Sequence, residues 1–377
     1  MTSDIDLLQI FSDAHGVSGH EQEIRELVMR HLGIGDIGDR TSISHADHSS
    51  NCIPDSIQTD GTGSLLIQYG TSGPKIMLAA HSDEIGFMVQ QITADGFLKI
   101  VAIGGWWTHT LLSQRVTIKT RTGNKIQGVI GSNPPHLLAE SQKKSLMPID
   151  ALYIDVGASS KAQAEDEFGI HLGDPIAPCS DFQHLANANR VMGKAFDNRA
   201  GLAAMVAATR IITQGAHPNI LITTATVQEE VGLRGAKTIT NLVQPDCAII
   251  LEGPPADDTP GFPLSDSQGS LGHGVQVRLF DPTAITNPAL AKLTEDIAIQ
   301  AQIPFQLTVR RSGGTDAGAL HLSGHGIPCI VLGIPTRYIH AHNGILDLND
   351  YQAAIALTVE LVRHLDAQTV ASLTKYI

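Results

Sequence analysis

Apolar runs that end abruptly in polar or charged residues recur along this chain. Four of them span residues 76–80, 220–227, 247–251 and 329–334. Each has the length of a β-strand, and near-continuous apolar content is typical of strands in a parallel sheet covered by helices on both faces. Residues 202–210, rich in alanine, predict a helix before the second run. The pattern predicts an α/β fold.

The segment between the first and second runs has a different pattern. Its stretches are short, alternate apolar with polar residues, and are separated by glycine and threonine turns. They are Phe87–Val89, Leu98–Ala102, Arg115–Lys119, Lys125–Ile130 and Leu152–Val156. Such spacing predicts a small β-barrel or sandwich inserted into the α/β domain.

Two helices are predicted near the amino terminus. Their core faces are Leu7, Leu8, Ile10 and Phe11 in the first helix, and Ile24, Leu27 and Val28 in the second. Ser18 is followed three residues later by Glu21, the spacing of a capping box. We therefore expect Ser18 to cap the second helix.

Candidate chemistry follows each apolar run, at the strand edge where open α/β sheets bind ligands. His81 and Asp83 follow the first run, Glu229 and Glu230 the second, Glu252 the third, and His340 comes shortly after the fourth. Each has an ordinary alternative when taken alone: a hydrogen-bonded histidine without metal, or glutamates solvated at a strand end. Asp197, just before the predicted helix, could equally be its N-cap.

Taken together, two histidines and three carboxylates form a plausible set of metal ligands, with Glu229 left over. Imidazole and carboxylate oxygens suit Zn²⁺, Co²⁺ or Mn²⁺, whereas a structural zinc site would need clustered cysteines. If Asp197 is shared, each of two divalent ions receives one histidine and one further carboxylate. Three carboxylates leave the two ions with a net positive charge, which favours deprotonation of a water between them. Glu229 is then placed to act as general base, and Asp83 to orient His81.

Several motifs in this order resemble those of the peptidase family 42 metallo-aminopeptidases, a group that includes glutamyl and tetrahedral aminopeptidases and proteins labelled cellulase M. They are His81–Gly86, Phe196–Gly201, Gln228–Gly232, Ser312–Ala317 and Arg337–His340, with further matches at Gly104–Trp106 and Gly128–His136. The resemblance extends from about residue 5 to residue 365.

The resemblance implies a mixed-sheet α/β/α dinuclear metallopeptidase domain built from residues 1–83 and 182–377, with a β-barrel-like dimerisation domain inserted at residues 84–181. It implies that one metal is bound by His81, Asp197 and Glu252, and the other by Asp197, Glu230 and His340. Glu229 would be the catalytic base and Asp83 the carboxylate supporting His81. Relatives commonly have aspartate in place of Glu252, but glutamate offers the same ligand atoms.

Substrate and assembly are also implied by the resemblance. The substrates would be short peptides with a free amino terminus, and the assembly at least a dimer, with closure into a tetrahedral dodecamer. The glycine-rich stretch around Gly314 would allow close backbone approach to a ligand. Asp316 would hold the substrate amine, and Arg337 would pair with a carboxylate or anchor its loop. A structural turn is the alternative for the glycine-rich stretch.

Residues 38–54 form a longer link than relatives have between the first helices and the first strand. His45, His48 and Cys52 within it could be a metal cluster. A flexible, serine-rich loop is favoured, because nothing nearby would make such a site rigid.

Composition narrows the class of protein. A net charge of −13 over 377 residues disfavours nucleic acid and anionic membranes as partners, and no apolar run is long enough to cross a bilayer. The amino terminus lacks the profile of a signal peptide, and the four cysteines have no C-x-x-C spacing. We expect a cytoplasmic enzyme with reduced thiols.

Three alternatives differ in chemistry. An endoglucanase would need two metal-free carboxylates and an aromatic-lined cleft, for which 4% aromatic residues is a poor supply. A metal-free binding protein would not need every ligand position filled. A dinuclear deacylase or carboxypeptidase would use the same metal chemistry with a different pocket, and only the family motifs argue against it.

Overall fold

The computed structural model describes residues 2–35 and 53–376. The proposed loop residues His45, His48 and Cys52 lie outside these ranges. The α-helices are α1 (Asp4–Asp13), α2 (Gln22–His31), α3 (Glu140–Lys143), α4 (Phe196–Ile212), α5 (Arg234–Val243), α6 (Pro288–Gln300), α7 (Ala317–Leu320), α8 (Leu348–His364) and α9 (Ala367–Leu373).

The strands fall into a central sheet, a barrel and a small sheet. In chain order they are β1 (Ser56–Thr59), β2 (Leu65–Tyr69), β3 (Lys75–His81), β4 (Gly86–Ile92), β5 (Leu98–Ile103), β6 (Arg115–Lys119), β7 (Lys125–Gly131), β8 (Tyr153–Asp155), β9 (Pro175–Pro178), β10 (Gln183–His184), β11 (Arg190–Gly193), β12 (Ile220–Thr226), β13 (Cys247–Glu252), β14 (Val275–Asp281), β15 (Ala284–Ile285), β16 (Phe305–Val309), β17 (Cys329–Gly333), β18 (Thr336–Arg337) and β19 (Gly344–Asp347).

The central sheet has the order β1-β2-β12-β3-β13-β17-β14-β15, with β16 also paired to β14. Its middle strands β12, β3, β13 and β17 run parallel, whereas β1, β2, β14 and β15 add antiparallel pairs. The sheet is therefore mixed, and its parallel centre corresponds to the four apolar runs. Their carboxyl ends meet at one edge of the sheet.

Helices cover both faces of this sheet. Alternate residues of each strand point to opposite sides, and both sets of side chains are apolar and are buried by helices. Ile76 and Leu78 of β3 pack in the core formed with α1, α2, α4 and α8, whereas Met77 and Ala79 pack in the core formed with α5 and α7. Both faces are apolar and buried, which explains why these strands are continuous apolar runs rather than alternating ones. The predicted α/β/α architecture is confirmed.

The inserted segment forms a closed barrel with the strand order β4-β5-β8-β7-β6-β9. All the pairings between its strands are antiparallel. Its interior is filled by alternating apolar residues such as Phe87, Ile118 and Ile154. The barrel strands lie between Gly86 and Pro178, inside the segment 84–181 that the family resemblance implied. The predicted insertion of a small barrel is confirmed.

The capping box predicted at α2 is wrong. Glu21 is itself the residue that precedes the first turn, and no side chain caps the helix there. The Ser18 hydroxyl instead donates to Asp83, and the Glu21 carboxylate accepts from backbone groups of two loops. Tertiary partners have thus displaced the local hydrogen bonds that the spacing indicated. Within the described residues, no helix combines the length and the apolar character needed to cross a membrane.

Candidate metal centre

The carboxyl edge of the parallel strands brings the candidate residues together. His81 is the last residue of β3 and Glu252 the last of β13, while Glu229 and Glu230 follow β12. Because β12, β3 and β13 are neighbours, these side chains lie side by side at one end of the sheet. Hydrogen-bonded strands are about 5 Å apart, which is within reach of a shared ion.

Asp197 lies at the centre of the cluster. It falls within the span of α4 but has non-helical backbone angles (φ −82°, ψ 101°), so it does not act as a simple N-cap. Its two carboxylate oxygens face different histidines: Oδ1 is 3.1 Å from His81 Nε2, and Oδ2 is 3.4 Å from His340 Nε2. This is the arrangement expected of a carboxylate shared between two ions.

The remaining carboxylates divide between the two histidines. Oε2 of Glu252 is 3.7 Å from His81 Nε2, and Oε2 of Glu229 is 3.9 Å from the same nitrogen. On the other side, Oε2 of Glu230 is 3.4 Å from His340 Nε2. The structure therefore places Glu252 and Glu229 near His81 and Glu230 near His340, with Asp197 between the two histidines.

The outer nitrogen of each histidine has its own partner. His81 Nδ1 is 3.2 Å from the backbone oxygen of Asp83 and 3.4 Å from its Oδ1. His340 Nδ1 is 2.7 Å from the backbone oxygen of Gly105 in the barrel segment. An acceptor on the outer nitrogen leaves Nε2 with its lone pair directed at the cluster, as metal ligation requires.

The residues present fit a divalent cation. Ligand atoms of His81, Asp197 and Glu230 all lie within 4.8 Å of one another. The buried Glu252 Oε1 has no hydrogen-bond partner in the protein, and such an orphaned acceptor is costly unless something else satisfies it. Imidazole nitrogens with carboxylate oxygens are the donor set that Zn²⁺, Co²⁺ and Mn²⁺ accept.

The electrostatics of the protein alone reflect this crowding of charge. Burial, reinforced by Asp197, raises the pKa of Glu230 to about 8, and burial with the same neighbour raises that of Glu252 to about 8. Burial also raises the pKa of Glu229 well above its ordinary value. Burial opposes ionisation of Asp197, but hydrogen bonds from His340 and His81 outweigh it and lower its pKa. Carboxylates that are costly to ionise at neutral pH indicate a crowding of like charge that a bound cation would relieve.

A cavity of about 430 Å³ opens onto the cluster. Besides the cluster itself, its wall includes Leu233, Pro254, Thr283, Gly313, Gly314 and Ile339. Two arginines also line it, and each is already paired: Arg278 Nη1 is 3.1 Å from Asp281, and Arg310 Nη1 is 2.7 Å from Asp257. The cavity combines an acidic floor with a largely apolar wall, and the predicted substrate residue Gly314 lies on that wall.

Asp316 and Arg337 do not line this cavity. Asp316 is fully buried, and its Oδ2 accepts a hydrogen bond from Thr226 at the end of β12. Burial raises the pKa of Asp316 to about 6. Arg337 makes two 2.6 Å hydrogen bonds to Asp258. The expectation that Asp316 holds the substrate amine is therefore not supported. Of the two roles considered for Arg337, the structure shows pairing with a carboxylate, that of Asp258.

Sequence reasoning missed contributors that act through the backbone or from distant segments. The carbonyl of Gly105 has no side-chain signal, and the motif Gly104–Trp106 points to it only through its similarity to relatives. Likewise, the Glu84 carboxylate forms a buried ion pair with Lys194 at 2.6 Å, close behind the cluster. A buried Lys-Glu pair between distant segments carries no local pattern, so only the fold reveals it.

The chain is similar in sequence to a known family of peptidases. Residues 63–357 match the family described as M42 glutamyl aminopeptidase. The chain is 36% identical to the putative aminopeptidase FrvX of Escherichia coli (strain K12), over 99% of this chain and 98% of that protein. It is 38% identical to the glutamyl aminopeptidase of Lactococcus lactis subsp. cremoris (strain MG1363), over 84% and 89%. The chain belongs to the M42 aminopeptidase family and is a hydrolase of that class.

Solved structures agree over the whole chain. A TET aminopeptidase from the marine sediment archaeon Thaumarchaeota archaeon SCGC AB-539-E09 superposes with a TM-score of 0.90 at 37% identity, covering 98% of this chain and 99% of that one. The TET1 peptidase of Pyrococcus horikoshii, which can assemble into a tetrahedron or a large octahedral shell, gives 0.81 at 30% identity, covering 96% and 100%.

Proposed function

We propose that this protein is a dinuclear metal-dependent aminopeptidase that releases single residues from the free amino terminus of short peptides. The observation that carries the proposal is Asp197, whose two carboxylate oxygens face His81 on one side and His340 on the other. A carboxylate so placed can bind two ions at once, which is the arrangement of co-catalytic metal sites in hydrolases.

Each ion would have its own terminal ligands in addition to Asp197. We assign His81 and Glu252 to the first, and Glu230 and His340 to the second. Two divalent ions bound there, zinc or cobalt first and manganese as a further candidate, would polarise the scissile carbonyl and make water nucleophilic at neutral pH. The fit rests on the donor chemistry and on the unsatisfied Glu252 Oε1.

Glu229 has a different task from its neighbour. It lines the cavity beside His81 and is the one glutamate of the set not required as a ligand. A buried carboxylate with a raised pKa readily holds a proton. We assign to it acceptance of the proton from the attacking water and delivery of that proton to the leaving amine, the two halves of general acid-base catalysis.

The cavity supplies the preference for a free amino terminus. A free α-amine can occupy an open metal position or bond to the carboxylates there, whereas an acetylated nitrogen has no lone pair to offer a metal. The apolar wall around Leu233 and Ile339 holds the first side chain, and the backbone at Gly313 and Gly314 allows a peptide to approach closely.

Matched substrates test the reaction. Purified protein loaded with Co²⁺ or Zn²⁺ is assayed on aminoacyl p-nitroanilides, on the same compounds with an acetylated amine, and on p-nitrophenyl glycosides. We expect turnover of the free-amine compounds alone. Equal rates on acetylated compounds would instead indicate a deacylase or endopeptidase, and turnover of glycosides would indicate an endoglucanase.

Metal stoichiometry is tested separately by elemental analysis of the loaded protein. Two ions per chain are expected. One tight ion, with no activation by a second, would contradict the dinuclear site even if peptides were hydrolysed.

We propose further that the barrel is a dimerisation domain and that dimers close into a dodecamer. Several large apolar side chains on the barrel segment are exposed, among them Trp107 at 61%, Leu137 at 78% and Leu172 at 55%. Large apolar side chains exposed on one domain favour an association surface there, because burying them against a partner removes them from water. Light scattering is expected to give at least a dimer, whereas a monomer of 40.1 kDa under metal-replete conditions would contradict the proposal.

A further inference from the structure

The loop that carries Glu229 and Glu230 starts with three consecutive backbone N–H groups, and all three donate to side-chain carboxylates. The N–H of Gln228 donates to Glu21 Oε1 at 3.1 Å. The N–H groups of Glu229 and Glu230 donate to Oδ1 and Oδ2 of Asp83 at 2.9 and 3.2 Å. Two buried carboxylates therefore fix the backbone on which the proposed base and a proposed ligand are mounted.

Gln228 needs such support. Its φ of 56° lies in the left-handed region, which is unfavourable for a residue with a side chain and persists only where the surroundings impose it. The N–H of Gln228, the residue immediately before Glu229, donates the hydrogen bond that Glu21 Oε1 accepts. Without the acceptor, the backbone here is free to relax, and the position of the Glu229 carboxylate would change with it.

Ser18 supports the second carboxylate. Its hydroxyl donates to Asp83 Oδ2 at 2.6 Å, the same oxygen that accepts from the Glu230 N–H. Ser18 and Glu21 belong to one short loop before α2, and both are almost completely buried, at 6% and 2% exposure. The N–H of Gly19 in this loop donates to Glu21 Oε1 at 2.7 Å, which holds the Glu21 carboxylate in place.

This loop is itself tied to the elements that carry the proposed ligands. Gly16 and Glu84 exchange backbone and side-chain hydrogen bonds, and Arg199 Nη2 donates to the Gly16 oxygen at 3.2 Å. Glu84 follows β3, which ends at His81, and Arg199 lies in α4, two residues after Asp197. The loop thus has a fixed position relative to the metal centre rather than being a separate surface feature.

From these contacts we propose that Ser18 and Glu21 are positioning residues of the active site, Glu21 acting on Glu229 through Gln228, and Ser18 acting on His81 and Glu230 through Asp83. The inference rests on the proposed function in assigning Glu229 as base. It gives the two residues different effects. Glu21 governs the geometry of the base, whereas Ser18 governs a carboxylate that supports metal ligands.

Three variants separate these effects, and a fourth serves as their control. Glu21→Ala removes the acceptor, whereas Glu21→Gln keeps an oxygen that can accept from Gln228. We expect Glu21→Ala to lose about 10- to 100-fold in kcat, as a displacement of about 1 Å does, with KM and metal affinity within about threefold of wild type. Glu21→Gln should restore most of kcat. Ser18→Ala should lose about tenfold in metal affinity, measured by calorimetry on metal-free protein.

Glu26→Ala is the matched control. Glu26 is an exposed carboxylate on α2 whose contact is with Gln22, so its loss should change neither kcat nor metal affinity. Hydrogen exchange adds a readout that needs no activity. The amides of residues 228–230 should exchange faster in Glu21→Ala than in wild type, and at the wild-type rate in Glu26→Ala.

The outcomes distinguish the two proposals. If wild type hydrolyses no peptide but exchange at 228–230 still accelerates in Glu21→Ala, the proposed function fails and the contact between loops stands. Unchanged kcat and exchange in folded Glu21→Ala would overturn the positioning role, as would equal losses in Glu21→Gln and Glu21→Ala. Should Glu21→Ala not fold, unchanged metal affinity in Ser18→Ala would overturn the proposal.

Discussion

The two halves of the candidate metal centre are built in different ways. His81 is the end of a central strand, its side chain is 1% exposed, and its outer nitrogen faces Asp83 two residues away. His340 lies in a loop with a left-handed φ of 56°, its side chain is 35% exposed, and its outer nitrogen reaches the Gly105 carbonyl, 235 residues away in the barrel segment. One half is supported by its own strand, the other by the inserted domain.

This difference shows how a metal centre can join two domains. A strand in the middle of a sheet is fixed by hydrogen bonds on both sides, so the backbone of His81 is held within the central sheet. A loop ligand is less constrained, and the contact with Gly105 restricts it. We therefore expect the His81 half to bind metal more tightly, and the His340 half to depend on the barrel.

The largest effect is expected at Glu229, which lines the cavity close to the His81 half. Glu229→Gln keeps the shape of the side chain but cannot accept a proton. We expect kcat to fall about 10²- to 10⁴-fold while two ions per chain are retained. Steady-state kinetics with elemental analysis provide the check. Near wild-type turnover would show that a different group is the base.

Removing each histidine in turn tests the asymmetry directly. His340→Ala should retain one ion with near wild-type affinity, because the His81 half is intact. His81→Ala should weaken binding of the first ion by more than the roughly 10- to 100-fold that loss of a supporting partner costs. Calorimetric titration of metal-free protein measures both. Equal losses of metal affinity in the two variants would show that the His81 half does not bind its ion more firmly than the His340 half.

Metal affinity should rise with pH. In the protein without metal, burial opposes charging of His340, but its hydrogen bond to Asp197 and the charge of Glu230 raise its pKa to about 9. Burial raises the pKa of Glu230 to about 8. Since these groups bind metal only when deprotonated, protons compete below those values. Affinity should increase by about tenfold per pH unit for each proton displaced, between about pH 6 and about pH 9.

Competition with a chelator of known pH dependence measures that slope. In His340→Ala the slope should be shallower, because one of the titrating ligands is gone. A slope that is the same in both proteins would remove His340 from the set of ligands.

The smallest effect tests the barrel contact. A methyl group at Gly105 would lie 3.2 Å from His340 Nδ1, closer than most such contacts, so the imidazole must shift slightly. Gly105→Ala should weaken the second ion by up to about tenfold and leave the first unchanged. Gly215→Ala is the control, since nothing lies within 4 Å of the added methyl group there. A change at the first ion instead would indicate that the two halves are not separately supported.

Much of this site could be predicted from the sequence, because its ligands follow apolar strands. A parallel strand buried on both faces must be apolar along its length, so the point where polar residues begin marks its carboxyl end. That reasoning places His81, Glu229, Glu230 and Glu252 at one edge, and the structure brings them together. The insertion was equally evident, since alternation with short turns is what a small barrel requires.

The capping-box expectation failed because distant partners overrode a local pattern. Ser18 and Glu21 have capping-box spacing, but their side chains turn to Asp83 and Gln228. Asp316 stands in a glycine-rich motif typical of a ligand site, and in the fold it is fully buried and accepts a hydrogen bond from Thr226. Buried carboxylates take the donors that lie nearest in space, and spacing along the chain does not reveal those.

The sequence by itself determined the fold class, the order of the domains and the residue types that can hold a metal, because these depend on periodicity and on donor chemistry. Only the tertiary structure decided which loop fixes the base and which half of the centre relies on the barrel. Those features arise from contacts between segments such as residues 16–21, 105 and 228–230. They join elements far apart in the chain, and the folded arrangement alone sets their distances.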